Sequence, residues 1–378
     1  MDETAPIGTI QQIYDGALLP DIQARTFRSI DRLFPTREVP AGRSVRMLPA
    51  GEPMGNFSFH SKGGRHDLFD YLALNRVSGL LVLKDGAIRF QTYELGNSER
   101  SRWMSMSIAK SFTSTLVGAA IHEGRIGSLD DAVVDHLPSL TGSAYEGVSV
   151  RNVIQMASGV AWNEDYLDPN SDRRRMLQAQ ARQEPGAVLA QIAALPRAAA
   201  PGTRWNYSTG ETHVLGALLR AAVGRPLATY LSEKIWAPFG MEAPASWWRE
   251  SPDGLEVGGS GISARLRDYG RFGLFLLDGG RIGADRVLPE GWVAEATRPH
   301  VIGGTEICYG YMFWPIPDPP GEPATGAFEA RGIFGKHIYV NPAERVVVAV
   351  SSALPKPVDK ATIKDHDFFA AVVGALRR

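Results

Sequence analysis

The sequence predicts an α/β protein of the α+β kind, in which an antiparallel sheet from both chain ends is flanked by helices and a mainly helical region is inserted between them. Three observations carry this reading. Leu80-Leu81-Val82-Leu83, Lys84-Asp85-Gly86-Ala87 and Ile88-Arg89-Phe90-Gln91-Thr92-Tyr93 form a hairpin pattern, because Asp-Gly supplies the positive φ angles of a tight primed turn. A second hairpin pattern runs from Lys336 to Val340, turns at Asn341-Pro342-Ala343-Glu344 and returns from Arg345 to Val350. Between the two the periodicity becomes helical, at Val150 to Met156, Val188 to Ala193 and Thr212 to Val223.

The elements follow in order. Residues 1 to about 65 are rich in Pro, Gly and Arg without periodicity and read as an irregular leader. The first hairpin is followed, beyond Lys110, by an apolar-rich run from Ser111 to Ile121, ended by His122-Glu123-Gly124, which reads as a buried helix with a glycine stop. Pro185 to Pro201 reads as a helix and its connecting loop. Hairpins at opposite ends of the chain would share one sheet, and Asp367 to Leu376, apolar at helical spacing, would cover it. The expected division is therefore an α/β domain of residues 1–125 and 255–378 and a mainly helical domain of residues 126–254, with an active site at their boundary.

Composition narrows the function classes. At 378 residues the chain can bury a large core, and 44% apolar with 21% charged residues is ordinary for a globular protein. With 40 basic and 41 acidic residues, nothing points to nucleic acid or an anionic membrane. The single cysteine, Cys308, excludes an intrachain disulfide and a Cys-based metal cluster, and the eight histidines contain no His-x-x-x-His pair. No cofactor or metal is expected. Met1-Asp2-Glu3-Thr4-Ala5-Pro6 has neither the basic start nor the apolar core of a signal peptide, and the chain reads as cytoplasmic.

Ser107 and Lys110 stand one helical turn apart in Met104-Ser105-Met106-Ser107-Ile108-Ala109-Lys110. That spacing puts a hydroxyl and an amine on one helix face. A serine hydroxyl is a weak nucleophile until a base takes its proton, and a desolvated lysine can be that base at neutral pH. Ser-x-x-Lys alone arises about once by chance in a chain of this size, so its context decides. A Ser-His-Asp hydrolase is the rival, but no Gly-x-Ser-x-Gly elbow is present; Asn206-Tyr207-Ser208-Thr209-Gly210 begins with Asn.

Ser107-Ile108-Ala109-Lys110 and Tyr207-Ser208-Thr209 resemble, in order and separation, the motifs of the serine β-lactamase and penicillin-binding-protein superfamily, in its class C-like esterase branch. The likeness continues through Leu129-Asp130-Asp131-Ala132-Val133 and Val153-Ile154-Gln155-Met156-Ala157-Ser158-Gly159. At Gly142-Ser143-Ala144-Tyr145-Glu146-Gly147 and Asn163-Glu164-Asp165-Tyr166-Leu167-Asp168-Pro169 it is similar to the 6-aminohexanoate-dimer hydrolase family. The resemblance covers roughly residues 75–378 and implies a β-lactamase/transpeptidase-like fold. By that resemblance Ser107 would be the acylated nucleophile, Lys110 its proton acceptor and Tyr207 a second acid or base. The Tyr207 role requires the Lys110 ammonium nearby to stabilise a phenolate; otherwise Tyr207 reads as a helix-capping aromatic. The oxyanion would be held by the N–H groups of Ser107 and Ile333, the latter in Ala330-Arg331-Gly332-Ile333-Phe334-Gly335. Tyr166, Thr209, Gly332 and Phe334 would meet substrate, Tyr166 as a lid residue bonding the scissile amide nitrogen. Trp314 reads equally as pocket wall or core.

Departures from the pattern carry their own implications. Ala330 and Arg331 stand where the third motif has Lys or His and then Thr, the groups that help hold a β-lactam carboxylate. Thr209 replaces the common Asn but still offers a hydroxyl. Near Leu177, where efficient relatives place an acid for a substrate amine, no acid stands, and Arg173, Arg174 and Arg175 lie close. The expectation is a serine hydrolase of small carboxylic esters or amides working through acyl-Ser107. Its alternatives are β-lactamase or D-amino-acid peptidase activity, or a non-catalytic penicillin-binding-like sensor.

Overall fold

The Asp85-Gly86 turn closes its hairpin as its chemistry requires. In the computed structural model both residues take positive φ, 53° and 80°, and Lys84 pairs with Ala87 across them. The structure describes residues 5–318, 321, 323–358 and 360–377; Met1–Thr4 and Arg378, on which the readings of the two chain ends partly fall, lie outside the described residues.

Ten strands build two antiparallel sheets: β1 (Thr36–Val39), β2 (Val77–Lys84), β3 (Ala87–Tyr93), β4 (Arg102–Met104), β5 (Ala245–Trp248), β6 (Ile262–Arg265), β7 (Trp314–Pro315), β8 (Phe328–Gly332), β9 (Lys336–Asn341) and β10 (Val346–Ser352). The larger has the order β7-β8-β9-β10-β2-β3 and the smaller β1-β5-β6-β4. The helices used below are α1 (Ile10–Asp15), α2 (Pro20–Arg28), α3 (Ile108–His122), α4 (Asp172–Arg182), α5 (Thr209–Val223), α6 (Leu266–Leu277) and α7 (Asp365–Leu376).

The chain ends meet where β10 pairs with β2, Val347 opposite Leu83 and Ala349 opposite Leu81. Successive side chains go to opposite faces. Leu81, Leu83, Val347 and Ala349 join the core that contains Phe272 of α6, whereas Leu80, Val82, Val346 and Val348 pack with Phe368, Phe369 and Val372 of α7. Both faces are covered, which is why these strands read as apolar runs and not as alternation. Each buried Leu or Val contributes roughly 1.5–3 kcal/mol against exposure.

Helix α3 is buried on nearly every side from Ile108 to Ala120, so its polar residues must find partners inside the protein. Thr113 Oγ1 donates to the Gly258 carbonyl at 2.7 Å, Ser111 Oγ to that of Met312 at 2.7 Å and Ser114 Oγ to that of Tyr311 at 2.6 Å. The helix thereby pins two irregular segments beside its own N-terminus. No helix among the described residues is long and apolar enough to cross a membrane.

Two expectations need correction, that of an irregular leader and that of the second hairpin turn. The leader is not wholly irregular: it holds α1, α2, β1 and a small hairpin, Ser58–Ser61 with Gly64–Asp67. Such short elements carry too few turns to show periodicity, and they are held by tertiary packing such as Phe27 against Trp103 and Phe334, with ring centroids 5.5 and 5.2 Å apart. Residues 254–255 lie between β5 and β6, which pair with each other in the smaller sheet. The second hairpin turns one residue later than expected, at Pro342–Arg345, with Arg345 at φ 49° and Asn341 opposite Val346.

Candidate active site

A strand, a left-handed residue and a helix present Ser107. Strand β4 ends at Met104, the Ser105 N–H is held by the Ile262 carbonyl at 2.7 Å, and Met106 then takes φ 48°. That conformation costs a residue with a Cβ roughly 1–2 kcal/mol. It reverses the chain so that Ser107, half-buried between buried neighbours, starts α3. Backbone N–H groups at a helix start lack intrahelical acceptors and can receive negative charge.

Lys110 is 1% exposed. Its Nζ lies 3.0 Å from Ser107 Oγ, 2.9 Å from Thr209 Oγ1 and 3.0 Å from the Gly259 carbonyl oxygen. Burial pushes its pKa down to about 7, with Glu164 opposing and Arg173 assisting. Half of the amines are then neutral near pH 7, and the three neighbours orient the neutral form. The Gly259 carbonyl only accepts, and Thr209 Oγ1 donates its own proton to Glu164 Oε1 at 2.5 Å, so both take hydrogens from the amine. The lone pair is left facing the Ser107 hydroxyl.

Glu164 also accepts from the Thr209 N–H at 2.8 Å and sits 3.9 Å from Arg173, whose side chain is 3% exposed. Arg173 in turn donates to the Tyr14 phenol and lies over its ring, 4.9 Å from the centroid. Lys110 thus sees a compensated Glu164–Arg173 pair, and desolvation decides its charge. The sequence reading missed Glu164, Gly259, Arg173 and Tyr14 as site residues. Glu164 stood inside a family-like segment and Gly259 in the run Gly258-Gly259-Ser260-Gly261, which are weak signals; Tyr14, in the leader, had none.

Tyr207 precedes α5, is packed against Trp314 and Tyr309 at 5.8 and 5.9 Å between ring centroids, and has its ring centroid 5.1 Å from Lys110 Nζ. The expected phenolate is not supported. Burial and then Glu164 raise the Tyr207 pKa well above its ordinary value, against a contact with the Ser107 hydroxyl and the charges of Arg331 and Arg173. An amine that is itself half neutral offers little charge to reverse this, and the Tyr207 phenol keeps its proton.

Ser107, Tyr166, Tyr207, Trp314, Gly332 and Ile333 line one cavity of about 610 Å³. Trp314 is half-buried in its wall and packs against the core from there, with the Arg331 guanidinium 4.0 Å from its ring centroid. A Cβ on Gly332 would lie 2.5 Å from the Ser105 carbonyl oxygen and 3.1 Å from Ser107 N. Strand β8 therefore touches the nucleophile turn only because this residue is glycine, and Ile333 follows at the cavity.

Two substrate contacts are corrected. Phe334 takes φ 67° and is fully buried against Phe27, not in the cavity. Thr209 is 1% exposed and behind Lys110, where its hydroxyl is consumed by Lys110 and Glu164. Leu177, 3% exposed, is core as well, while Arg174 is tied to the Tyr166 carbonyl and to Asp15.

Comparison with known proteins adds a context to this geometry. A family model described as Beta-lactamase matches residues 74–371. The 6-aminohexanoate-dimer hydrolase of Paenarthrobacter ureafaciens is 27% identical over 310 residues, 77% of this chain and 76% of that protein. Among solved structures, the "Putative 6-aminohexanoate-dimer hydrolase from Bacillus anthracis" superposes with a TM-score of 0.82 at 20% identity, covering 94% of this chain and 95% of that one. A penicillin binding protein from Bacillus halodurans gives 0.64 at 17% identity over 81% and 99% of the two chains. At these identities the structural likenesses speak to the fold.

Proposed function

The chain belongs to the beta-lactamase family, and from that premise we propose that it is a serine hydrolase cleaving small carboxylic esters or amides through an acyl-Ser107 intermediate. One observation carries the reading: a fully buried amine with a pKa near 7 stands 3.0 Å from a serine hydroxyl at a helix start. Lys110 takes the Ser107 proton as Oγ attacks the carbonyl carbon, and the N–H groups of Ser107 and Ile333 hold the oxyanion. Tyr207 gives its proton to the leaving oxygen or nitrogen and is reprotonated by the Lys110 ammonium. Water then attacks the acyl carbon, its proton passing to the neutral Lys110, and as the bond from the acyl carbon to Ser107 Oγ breaks the Lys110 ammonium returns that proton to Oγ, restoring both groups.

Esters and amides are favoured over β-lactams by the third motif. Ala330 is buried and apolar, and Arg331 lies on Trp314 and 3.6 Å from Glu329; neither reproduces the usual Lys-Thr pair. The names of the relatives, a 6-aminohexanoate-dimer hydrolase and, among the solved structures, a family VIII carboxylesterase, fit amide and ester chemistry. The partner is a small molecule.

The test is incubation with p-nitrophenyl butyrate. A burst of p-nitrophenol and a butyryl mass increment on the peptide containing Ser107 are expected; no burst, or an adduct on another residue, overturns the proposal. A second prediction concerns Tyr166, which lines the cavity and whose phenol burial keeps protonated, its pKa raised well above the ordinary value. It can donate to an amide nitrogen at the bond being cut, and one such hydrogen bond is worth about 0.5–1.5 kcal/mol. Tyr166→Phe should lower amide hydrolysis about three- to tenfold more than ester hydrolysis, measured on matched butyryl anilide and phenyl ester. Equal losses would remove Tyr166 from the chemistry.

A further inference from the structure

The chemistry proposed above leaves a second buried amine without a task. Lys336 opens β9 and is 1% exposed. Its Nζ lies over the Phe27 ring, 4.1 Å from the centroid, with Phe334 at 5.3 Å and Trp103 at 5.9 Å, and it donates to the carbonyls of Ile333 at 3.4 Å and Ser352 at 3.3 Å. We propose that Lys336 is a positioning residue of the oxyanion site, its amine holding the Ile333–Phe334 peptide so that the Ile333 N–H faces the cavity beside Ser107. The proposal rests on the serine-hydrolase reading, which supplies the oxyanion.

The backbone shows what that amine holds. Strands β8 and β9 are joined by Ile333-Phe334-Gly335, with Phe334 at φ 67° and Gly335 at φ 76°. A left-handed phenylalanine is strained and persists only where its surroundings fix it. The Phe334 N–H donates to the Pro357 carbonyl at 3.0 Å, and the Phe334 carbonyl accepts from the Leu354 N–H at 3.3 Å. The peptide joining Ile333 to Phe334 is therefore gripped at both polar ends, its N–H by Pro357 and its carbonyl by Lys336. On the other side, Gly332 is paired with Lys336 at the end of the ladder and stands against the turn before Ser107. The planar peptide carrying the Ile333 N–H lies between these two fixed points, so its direction follows from them.

Stability alone does not account for an amine here. Burial pushes the Lys336 pKa well below its ordinary value, and the acidic neighbour that Lys110 has in Glu164 has no counterpart at Lys336 among the described residues. A methionine would fill the same space against the same three rings without desolvating an amine. What it would lack is the donor. Donors aimed in advance at developing charge supply much of the rate of an acyl transfer, and they act only while they stay aimed.

Lys336→Met and Lys336→Gln separate positioning from mere packing, since Gln keeps an N–H donor of nearly the same reach. The Met variant is expected to hold its thermal midpoint within about 4 °C. Its kcat for p-nitrophenyl butyrate should fall about tenfold, with KM within about twofold. Its affinity for 1,1,1-trifluorohexan-2-one should fall by the same factor as kcat. That ketone adds to Ser107 Oγ, the hydroxyl proton passing to Lys110, and the charge left on the ketone oxygen probes the Ile333 N–H without turnover. Lys336→Gln should recover most of both losses. Unchanged kcat and ketone affinity in the Met variant overturn the proposal, as does a loss that appears only in KM, that Gln shares in full, or that comes with a collapsed midpoint. An unmodified Ser107 in the wild-type protein would overturn the hydrolase reading and this one together, whereas a wild-type adduct beside an unaffected Met variant removes Lys336 alone.

Discussion

Replacing Lys110 by methionine is expected to lower kcat/KM for p-nitrophenyl butyrate by about 10³-fold with the fold retained. Methionine matches the length of the lysine stem and is unbranched, so the 1%-exposed site stays filled. Thr209 keeps its bond to Glu164; the Gly259 carbonyl loses a donor, a cost of about 1–3 kcal/mol that is offset by no longer burying an amine. What disappears is the acceptor for the Ser107 proton. The pH profile is the companion measurement. Below pH 7 Lys110 is increasingly protonated and has no lone pair, so kcat/KM should rise with pH through about 7, following its lowered pKa. An amine of ordinary pKa 10.5 would be neutral in only about one molecule in 3,000 at pH 7. Glu211 is also pushed by burial to about 7, but it is held behind the Tyr145 and Ser158 hydroxyls. Glu211→Gln should therefore keep the inflexion. A Lys110→Met protein with more than a tenth of the activity, or a profile flat from about pH 6 to 9, would remove Lys110 as the base.

Gly332→Ala is the second large effect, an expected fall in kcat of about 10²-fold with a smaller change in KM. The added methyl would stand 2.5 Å from the Ser105 carbonyl oxygen, 3.1 Å from Met106 Cβ and 3.1 Å from Ser107 N, all belonging to the turn that aims the nucleophile. One of the strained residues of the site, Met106 at φ 48°, is among them. The turn or the end of β8 must shift, and a displacement near 1 Å at the reacting atoms costs about 10²-fold. The sheet should survive because Gly332 is the last residue of β8 and its pairing with Lys336 closes the ladder. Steady-state kinetics and circular dichroism check both parts; a fully active Gly332→Ala enzyme would show that the close approach is unnecessary.

Local chemistry was legible along the chain. The Asp85-Gly86 turn, the buried run after Ser107, the terminal helix over the sheet and the Ser107–Lys110 spacing each depend on residues within a few positions of one another. Phe334 shows where adjacency misleads: beside Ile333 in sequence, it turns at φ 67° into the core next to Phe27 from α2. Tyr207 shows the same for charge, because its neutrality follows from burial and from Glu164, 43 residues earlier in the chain. Thr209 was read as facing substrate and instead braces Lys110.

The sequence by itself determined the Ser107–Lys110 spacing and the type of fold, since helical spacing and hairpin turns are short-range properties of the backbone. Only the tertiary structure decided the desolvation of that amine and the Glu164–Arg173–Tyr14 brace behind it. Those depend on desolvation and on charges brought together from distant segments, and a solvation environment exists only once the chain has packed.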